Sequence, residues 1–178
     1  MSDKTLSTAL TLLVLLCGAA PAHAAGDNPS GLPLPRFATT RSDEINVRVG
    51  PGTRYDIAWV YVKAGQPVEI VQEFDTWRKI RDVDGTEGWV HQNMLSGKRA
   101  GIAAPWQGDQ IPLLSNREDP EGVRAWLRPG FRVDISGCDG AWCEVIATSL
   151  PQDGPTATYA GYLRQSNLWG VYQGEEFD

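Results

Sequence analysis

The sequence predicts an all-β protein built from two small β-barrels in tandem, preceded by an N-terminal export signal. Short runs of alternating apolar and polar residues are separated by Gly, Pro or Asp, which is typical of short strands joined by tight turns. After the export signal, no stretch of helical length carries an apolar stripe with a period of 3.6 residues. The second half of the chain also repeats the pattern of the first half.

Residues 1–24 are typical of a signal peptide. A basic residue precedes a short apolar core, and Ala-His-Ala supplies the small residues for a cleavage site between Ala24 and Ala25. The apolar core is too short to span a membrane, so no stable membrane insertion is expected. Cys17 raises the alternative of a lipid anchor, but Leu16 stands where lipid attachment signals have Gly or Ala. We therefore expect a periplasmic or secreted protein.

Composition divides the remaining chain into three parts. Residues 25–36 are rich in Pro and Gly without periodicity, which indicates an extended linker. Residues 37–97 form the first predicted domain and residues 98–174 the second. The formal net charge is −6, and the acidic excess lies in the second half. An acidic chain without a basic block argues against nucleic acid or an anionic membrane surface as a partner.

The strands of the first domain can be read in order from the alternation. They are INVRV, IAWVYV, PVEIVQEF, TWRKIRDV and TEGWVHQ. In the first of them Ile45, Val47 and Val49 alternate with Asn46 and Arg48, so one face of this strand is expected to be buried and the other exposed.

Two segments of the first half align with two segments of the second half. VKAGQPVEIVQEFDTWRKI aligns without a gap with LRPGFRVDISGCDGAWCEV, and EGWVHQNML aligns with AGYLRQSNL. An insertion, ATSLPQDGPTAT, is expected to form a loop in the second copy. The sequence therefore predicts two copies of one β-unit. The aligned pairs are Gly65 with Gly130, Val68 with Val133, Ile70 with Ile135, Trp77 with Trp142, Gly88 with Gly161, Trp89 with Tyr162, Gln92 with Gln165 and Leu95 with Leu168.

The motifs NVRVGPGTRY, AGQPVEIV and WRKIRDVDGTEGWVHQNML resemble those of bacterial SH3-like domains. The resemblance covers residues 37–97 strongly. The second copy is similar but degraded, since SNREDPEGVRAW keeps neither Asn-x-Arg nor Gly-Pro-Gly. The resemblance implies two tandem SH3-like barrels, each partly open with five to six strands. It also implies a non-catalytic role in cell-wall association, whereas the fold alone does not identify a ligand.

The Gly-Pro-Gly loop at residues 50–52 has two interpretations. Its glycines can adopt backbone angles forbidden to other residues, and Pro fixes one dihedral angle between them. In the first interpretation the loop only closes the barrel, with Asn46 and Arg48 bracing it by hydrogen bonds. In the second it is one wall of a ligand groove, with Tyr55 as a contact.

Trp77 is a second candidate for ligand contact. If Ile80 faces the core, alternation places Trp77 and Lys79 on the opposite face. The same parity applies to Trp142 and Val145 in the second copy. A Trp held off the core in both copies is suited to stack on a peptide or a sugar ring. The alternatives are a Trp covering a barrel seam or one lying in a contact between the copies.

The family resemblance adds His91 and Met94 to the candidate groove, since their segment, GWVHQNML, is similar to the last strand and short helix of SH3 domains. His91 is the one histidine that follows the signal peptide. A lone histidine is more often a surface residue than a functional one.

Cys138 and Cys143 are expected to form a disulfide, because an even number of cysteines in an exported chain favours pairing. Their aligned counterparts are Glu73 and Arg78. Strict alternation would put Cys138 on the wrong face of its strand, so a bulge is expected near Gly137. Two thiols and one distant histidine do not make a four-ligand metal site, so no metal is predicted.

The sequence contains no set of residues that marks an enzyme. It lacks a Ser-His or Cys-His pair with a third orienting group, and it lacks phosphate-binding or dinucleotide motifs, so no cofactor is expected. We predict a non-catalytic binding module for peptidoglycan peptide, glycan or an envelope protein. One alternative is a structural protein whose barrels mediate subunit contacts. Another is a hydrolase with a carboxylate pair that the sequence does not mark out.

Overall fold

A computed structural model describes residues 28–149 and 155–178 of the 178-residue chain. The predicted signal peptide and its cleavage site between Ala24 and Ala25 lie outside the described residues. The described chain is all-β, as the alternation predicts, with two antiparallel sheets and two short 3-10 turns. Within this part, no helix has the length and apolar character needed to cross a membrane.

The first sheet contains seven strands in the order β3-β2-β6-β5-β4-β1-β7. Alternating residues in these segments form the strands, and Gly-containing turns end them. A 3-10 turn, Gln92–Met94, connects β6 to β7. The strands are β1 (Arg36–Thr40), β2 (Ile45–Arg48), β3 (Ile57–Tyr61), β4 (Pro67–Phe74), β5 (Trp77–Arg81), β6 (Glu87–His91) and β7 (Leu95–Ser96).

The second sheet has the order β10-β9-β13-β12-β11-β8-β14, which is the same arrangement of consecutive strands as in the first sheet. A 3-10 turn, Gln165–Asn167, occupies the corresponding place before β14. One additional strand, β15, pairs with β11. The strands are β8 (Arg99–Ala103), β9 (Ile111–Leu114), β10 (Val123–Leu127), β11 (Arg132–Asp139), β12 (Trp142–Ser149), β13 (Ala157–Arg164), β14 (Leu168–Trp169) and β15 (Glu176–Phe177).

Each sheet surrounds its own apolar core. Burying an aliphatic side chain of this kind stabilises the fold by about 1.5–3 kcal/mol. Val49, which alternation places on the buried face, is 63% exposed because β2 ends at Arg48. The first core consists of Ala38, Ile45, Val47, Val68, Ile70, Ile80, Val90 and Leu95. The second is built around Leu113, Val133, Val145, Leu163 and the two cysteines.

A bulge interrupts β4 of the first sheet and β11 of the second sheet at the same place. In β11 the pairing shifts between Ile135 and Gly137, which confirms the bulge expected near Gly137. In β4 it shifts between Ile70 and Gln72. The extra residue reverses the alternation, so Glu73 and its counterpart Cys138 both become buried.

The two sheets contact each other through aromatic side chains. The Phe37 ring of β1 lies 5.2 Å from the Trp169 ring and 4.8 Å from the Tyr172 ring, measured between centroids. The Tyr172 hydroxyl donates a hydrogen bond of 2.8 Å to Glu69 Oε1 of β4. Burial and this carboxylate raise the pKa of Tyr172, so its hydroxyl stays protonated as a donor. The segment after β14 therefore ties the second sheet to the first.

Arg99 holds that segment in place. Its guanidinium donates to both carboxylate oxygens of Glu175, at 2.7 and 2.9 Å, and to the Gly170 carbonyl at 2.9 Å. Burial by itself would raise the pKa of Glu175, but the hydrogen bonds from Arg99 and from the Tyr172 backbone outweigh it and lower the pKa. The carboxylate therefore remains charged and paired.

Candidate ligand-binding face

The outer face is the side of the first sheet opposite its core, and we define it by Arg48, Trp77, Lys79, Trp89 and His91. Directly paired residues on neighbouring antiparallel strands point to the same side of a sheet. Trp77 pairs with His91, Lys79 pairs with Trp89, and Trp89 also pairs with Arg48. These side chains therefore form a continuous strip across β5, β6 and β2.

Trp77 points away from the core, as parity predicts. Arg78 and Ile80 on the same strand are buried, whereas Trp77 and Lys79 are half-buried. The rings of Trp77 and His91 meet edge to face, with centroids 5.6 Å apart and planes at 86°. His91 Nδ1 also accepts a hydrogen bond of 3.3 Å from the Asn93 backbone, which fixes the imidazole beside the turn. The Trp77 ring is thus oriented before any ligand arrives.

Trp89 belongs to the outer face, although it is not among the site residues predicted from the sequence. It is only 9% exposed, yet it is not part of the first core. Its cross-strand neighbours Arg48 and Lys79 flank it on both sides. The parity argument applied to Trp77 could have found it, because buried Val90 puts Trp89 and His91 on the opposite side.

Ion pairs border this strip. Lys79 Nζ lies 2.6 Å from Glu87 Oε2, and Arg81 Nη2 lies 2.9 Å from Glu87 Oε1. Hydrogen bonds from Lys79 and Arg81 lower the pKa of Glu87, so its carboxylate is charged at neutral pH. Because these groups are largely exposed, the pairs contribute little to stability, about 0–1 kcal/mol each. Their effect is to fix the position of the Lys79 ammonium beside Trp89.

The Gly-Pro-Gly loop packs against Tyr55. A Cβ atom on Gly50 would lie 2.5 Å from Tyr55 Cδ1, so only glycine leaves room for the ring. The sequence reasoning gave a different cause, unusual backbone angles, but neither Gly50 nor Gly52 has a positive φ. Arg48 Nη1 donates a 2.6 Å hydrogen bond to the Tyr55 carbonyl, so Arg48 braces the loop as the first interpretation predicts. Tyr55 is half-buried and remains accessible in part.

The predicted site residues thus form two pairs, Trp77 with His91 and Arg48 with Tyr55. Buried Trp89 lies between them on β6. Asn46 is exposed on β2, opposite Val60 of the edge strand, and shares the side of Arg48. Met94 is 37% exposed in the 3-10 turn, where its carbonyl accepts a hydrogen bond of 2.8 Å from the Arg41 backbone. A ligand that contacted all six predicted residues would have to extend across the sheet and around the turn.

The corresponding face of the second sheet carries different chemistry. Arg164 lies 4.4 Å from the Trp142 ring centre, and Arg117 lies 5.3 Å from that of Tyr162. Glu144 takes the place that Lys79 holds in the first sheet, paired with Tyr162 rather than Trp89. A cavity of 180 Å³ lies here beside the disulfide. Arginine side chains therefore already lie over the aromatic rings of this face.

Cys138 and Cys143 are joined by a disulfide, which confirms the predicted pairing. Their Cα atoms are 4.1 Å apart, and the two residues are direct cross-strand partners on β11 and β12.

Within residues 28–149 and 155–178, no group of three His, Cys, Asp or Glu residues is arranged to hold a metal ion. The outer face offers the aromatic rings of Trp77 and His91 and the cationic groups of Arg48 and Lys79, a set that suits binding of a ligand.

Comparison with known proteins identifies the first domain. Residues 41–97 match the family model described as Bacterial SH3 domain. The chain is 30% identical over 101 residues to the putative N-acetylmuramoyl-L-alanine amidase YrvJ of Bacillus subtilis (strain 168). The match covers 56% of this chain and 18% of that relative, so the chain spans only a small part of the amidase. The resemblance inferred from the sequence is thereby confirmed for residues 41–97.

Proposed function

From the bacterial SH3 domain at residues 41–97, we infer that the chain is a non-catalytic binding module of the cell envelope. Its ligand is peptidoglycan, through the peptide or the glycan, and the binding surface is the outer face around Trp77 and His91. The proposal includes export by residues 1–24 to the periplasm or the exterior. It also includes a second SH3-like barrel at residues 98–174.

The observation that carries this proposal is the orientation of Trp77. Its ring is held off the core by strand parity and is set by the edge-to-face contact with His91. A partly accessible aromatic ring that is already ordered loses little conformational entropy when it stacks on a ligand. The similarity to a protein named as a putative N-acetylmuramoyl-L-alanine amidase supports peptidoglycan as the ligand class, since N-acetylmuramoyl-L-alanine is a part of peptidoglycan.

The second sheet supports the assignment of the outer face as a binding surface. The two sheets have the same strand order, and a Trp stands at the same place on β5 and β12. In the second sheet, however, Arg164 lies over Trp142. The Trp77 ring instead contacts His91, with the two ring planes at 86°. We therefore assign wall binding to the first domain and use the second as its control.

The test is co-sedimentation of the purified mature chain with insoluble peptidoglycan. Trp77→Ala should weaken retention about tenfold, because a stacking contact worth about 1.4 kcal/mol corresponds to a factor of ten in Kd. Trp142→Ala is the matched control and should keep retention, with circular dichroism confirming both folds. Absence of retention for the unmodified chain, or equal losses in both variants, would overturn the proposed site. Release of soluble wall fragments during incubation would overturn the non-catalytic assignment.

A structural role is the second candidate, in which the barrels only mediate contacts between subunits. This version requires Trp77 and Trp142 to be buried at an interface. The contact between the sheets instead uses Phe37, Trp169 and Tyr172. Quenching by acrylamide distinguishes the two cases. The fluorescence of Trp77 is the part of the signal that Trp77→Ala removes. An interface would protect that fluorescence from the quencher, whereas a free outer face would leave it accessible.

A further inference from the structure

A polar crevice of 510 Å³ lies where the two sheets meet, and none of its lining residues belongs to the outer face. Strands β1, β7 and β11, the turn at Gly65, and Lys98, which precedes β8, contribute to its walls. Pockets between two packed units are common sites for ligands. The side chains that define the chemistry of the crevice are Thr39, Arg41, Ser96, Lys98, Arg132 and Asp134.

The side chains that line the crevice carry a net positive charge, with three cations and one carboxylate. Arg132 is paired with Asp134, with its Nη2 and Nη1 atoms 2.5 and 3.2 Å from the two carboxylate oxygens. Arg41 and Lys98 are exposed, and neither side chain takes part in an ion pair within the described part of the chain. Two cations without a direct ion pair therefore lie at this place, in a chain with a net charge of −6. A further carboxylate that the hydrogen bonds bring to the crevice wall is Asp43, whose Oδ1 accepts from the Ala64 backbone at 2.7 Å.

Two hydroxyl groups add hydrogen-bond donors to the crevice. Thr39 lies on the same side of β1 as Phe37, which contacts the second sheet, and Ser96 pairs directly with Thr39. Only 3% of Thr39 is exposed, and the residue lines the crevice. Ser96 Oγ accepts from the Lys98 backbone at 3.2 Å, which leaves its proton free to donate.

Arg132 holds the crevice in a fixed shape. From the second sheet, its Nε donates a hydrogen bond of 2.5 Å to the Gly65 carbonyl of the first sheet. Gly65 has φ of +75°, which favours glycine, and a Cβ atom there would lie 2.6 Å from Arg132 Nη2 and would displace the guanidinium. Because the walls are already in position, a ligand would not have to order them.

We propose that this crevice binds an oxyanion, a carboxylate or phosphate group, between Arg41 and Lys98. Both cations are donors without acceptor atoms, and the Thr39 and Ser96 hydroxyls can donate to the same group. The arginine guanidinium matches both anions with paired N–H groups, while the lysine supplies a point charge. This site is independent of the proposed peptidoglycan contact at Trp77, since the two share no residue.

The experiment is an NMR titration of the amide signals of the full mature chain. Three probes are used: inorganic phosphate, N-acetyl-alanyl-alanine with a free carboxylate, and the same dipeptide as its C-terminal amide. Shifts at residues 39–41 and 96–98 with the free acid but not with the amide identify a carboxylate site. Shifts with phosphate alone identify a phosphate site. Absence of localised shifts with both anions overturns the proposal.

Substitutions decide whether the named cations carry the binding. The Arg41→Gln and Lys98→Gln double variant should bind the anion at least tenfold more weakly, whereas Arg124→Gln, an exposed cation on β10, should bind as the unmodified chain does. Equal affinity in the double variant would overturn the assignment. Wall co-sedimentation of the double variant separates the two sites: retention that persists while anion binding is lost shows that they act independently.

Discussion

In the first sheet Glu73 of β4 faces Arg78 of β5, and at the same place in the second sheet Cys138 of β11 faces Cys143 of β12. Both positions follow a bulge that turns the strand inward, and both are buried. A buried polar pair and a covalent bond thus occupy the same position in two sheets of the same strand order. The same position is cross-linked in both sheets, by different chemistry.

The first cross-link is a network of charges. Glu73 is 3.2 Å from Arg78 Nε and is also bound by Arg36, at 2.5 Å, and by the Ser30 hydroxyl, at 2.7 Å. Its side chain is fully inaccessible to solvent. Burial alone would raise the pKa of Glu73, but hydrogen bonds from Ser30 and Arg36 outweigh it and lower the pKa. Protons can therefore weaken this cross-link, whereas a reductant acts only on the second one.

The largest effect is expected from Glu73→Ala. Arg78 is only 4% exposed, so the substitution leaves a buried guanidinium without its carboxylate. Removing one partner of a buried ion pair destabilises a protein by about 3 kcal/mol or more. Urea unfolding followed by fluorescence should show this loss.

A matched pair of substitutions sharpens the comparison. Glu73→Cys with Arg78→Cys places two cysteines at the direct cross-strand positions that hold the disulfide in the second sheet. Oxidation of this double variant should restore much of the stability that Glu73→Ala loses. If Glu73→Ala unfolds at the same urea concentration as the unmodified chain, the charge network is not a structural equivalent of the disulfide.

A smaller effect is expected from loss of the disulfide. Cys138 and Cys143 are separated by only 5 positions, and closing so short a loop stabilises by about 2 kcal/mol in the chain-entropy model. Cys138→Ser with Cys143→Ser should therefore lower the free energy of unfolding by about that amount. Reductant should lower the stability of the unmodified chain and leave that of the double variant unchanged. Sensitivity of both to reductant would contradict the prediction.

The smallest effect is expected from acid. Because the pKa of Glu73 is lower in the folded chain than its ordinary value of 4.5, its stabilising contribution is complete above that pH. The contribution is lost as the pH falls through the folded pKa. Urea titrations between neutral pH and pH 3 should show a decline that is shallower in Glu73→Ala. An equally steep decline in that variant would assign the acid sensitivity to other carboxylates, such as Glu175.

The two sheets also differ on their outer faces. Lys79 and His91 of the first sheet correspond in register to Glu144 and Arg164 of the second. The Gly50 and Tyr55 contact has no counterpart in the SNREDPEG segment, where Arg117 instead pairs with an aspartate and covers an aromatic ring. Duplicated strand order therefore does not imply duplicated binding, which is why Trp142→Ala serves as a control.

Local patterns were sufficient to predict several features. Alternation gave the strands from Ile45 to His91 and the outward orientation of Trp77, because successive side chains in a strand point to opposite faces. Strict alternation would place Cys138 on the wrong face of its strand, and this mismatch predicted the bulge that lies near Gly137. Patterns were not sufficient for β1, whose sequence RFATT lacks clear alternation, or for Val49, which lies past the end of its strand.

By itself, the sequence determined the all-β class, the cysteine pairing and the resemblance to bacterial SH3 domains, because these depend on residues near one another in the chain. The tertiary structure alone decided which distant groups meet. Ser30 and Arg36 bind Glu73, Tyr172 binds Glu69, and Arg132 spans from one sheet to the other. Such contacts join residues tens of positions apart through the packing of whole sheets, and no local period encodes that packing. The network at Glu73 and the crevice between the sheets therefore became visible only in the folded chain.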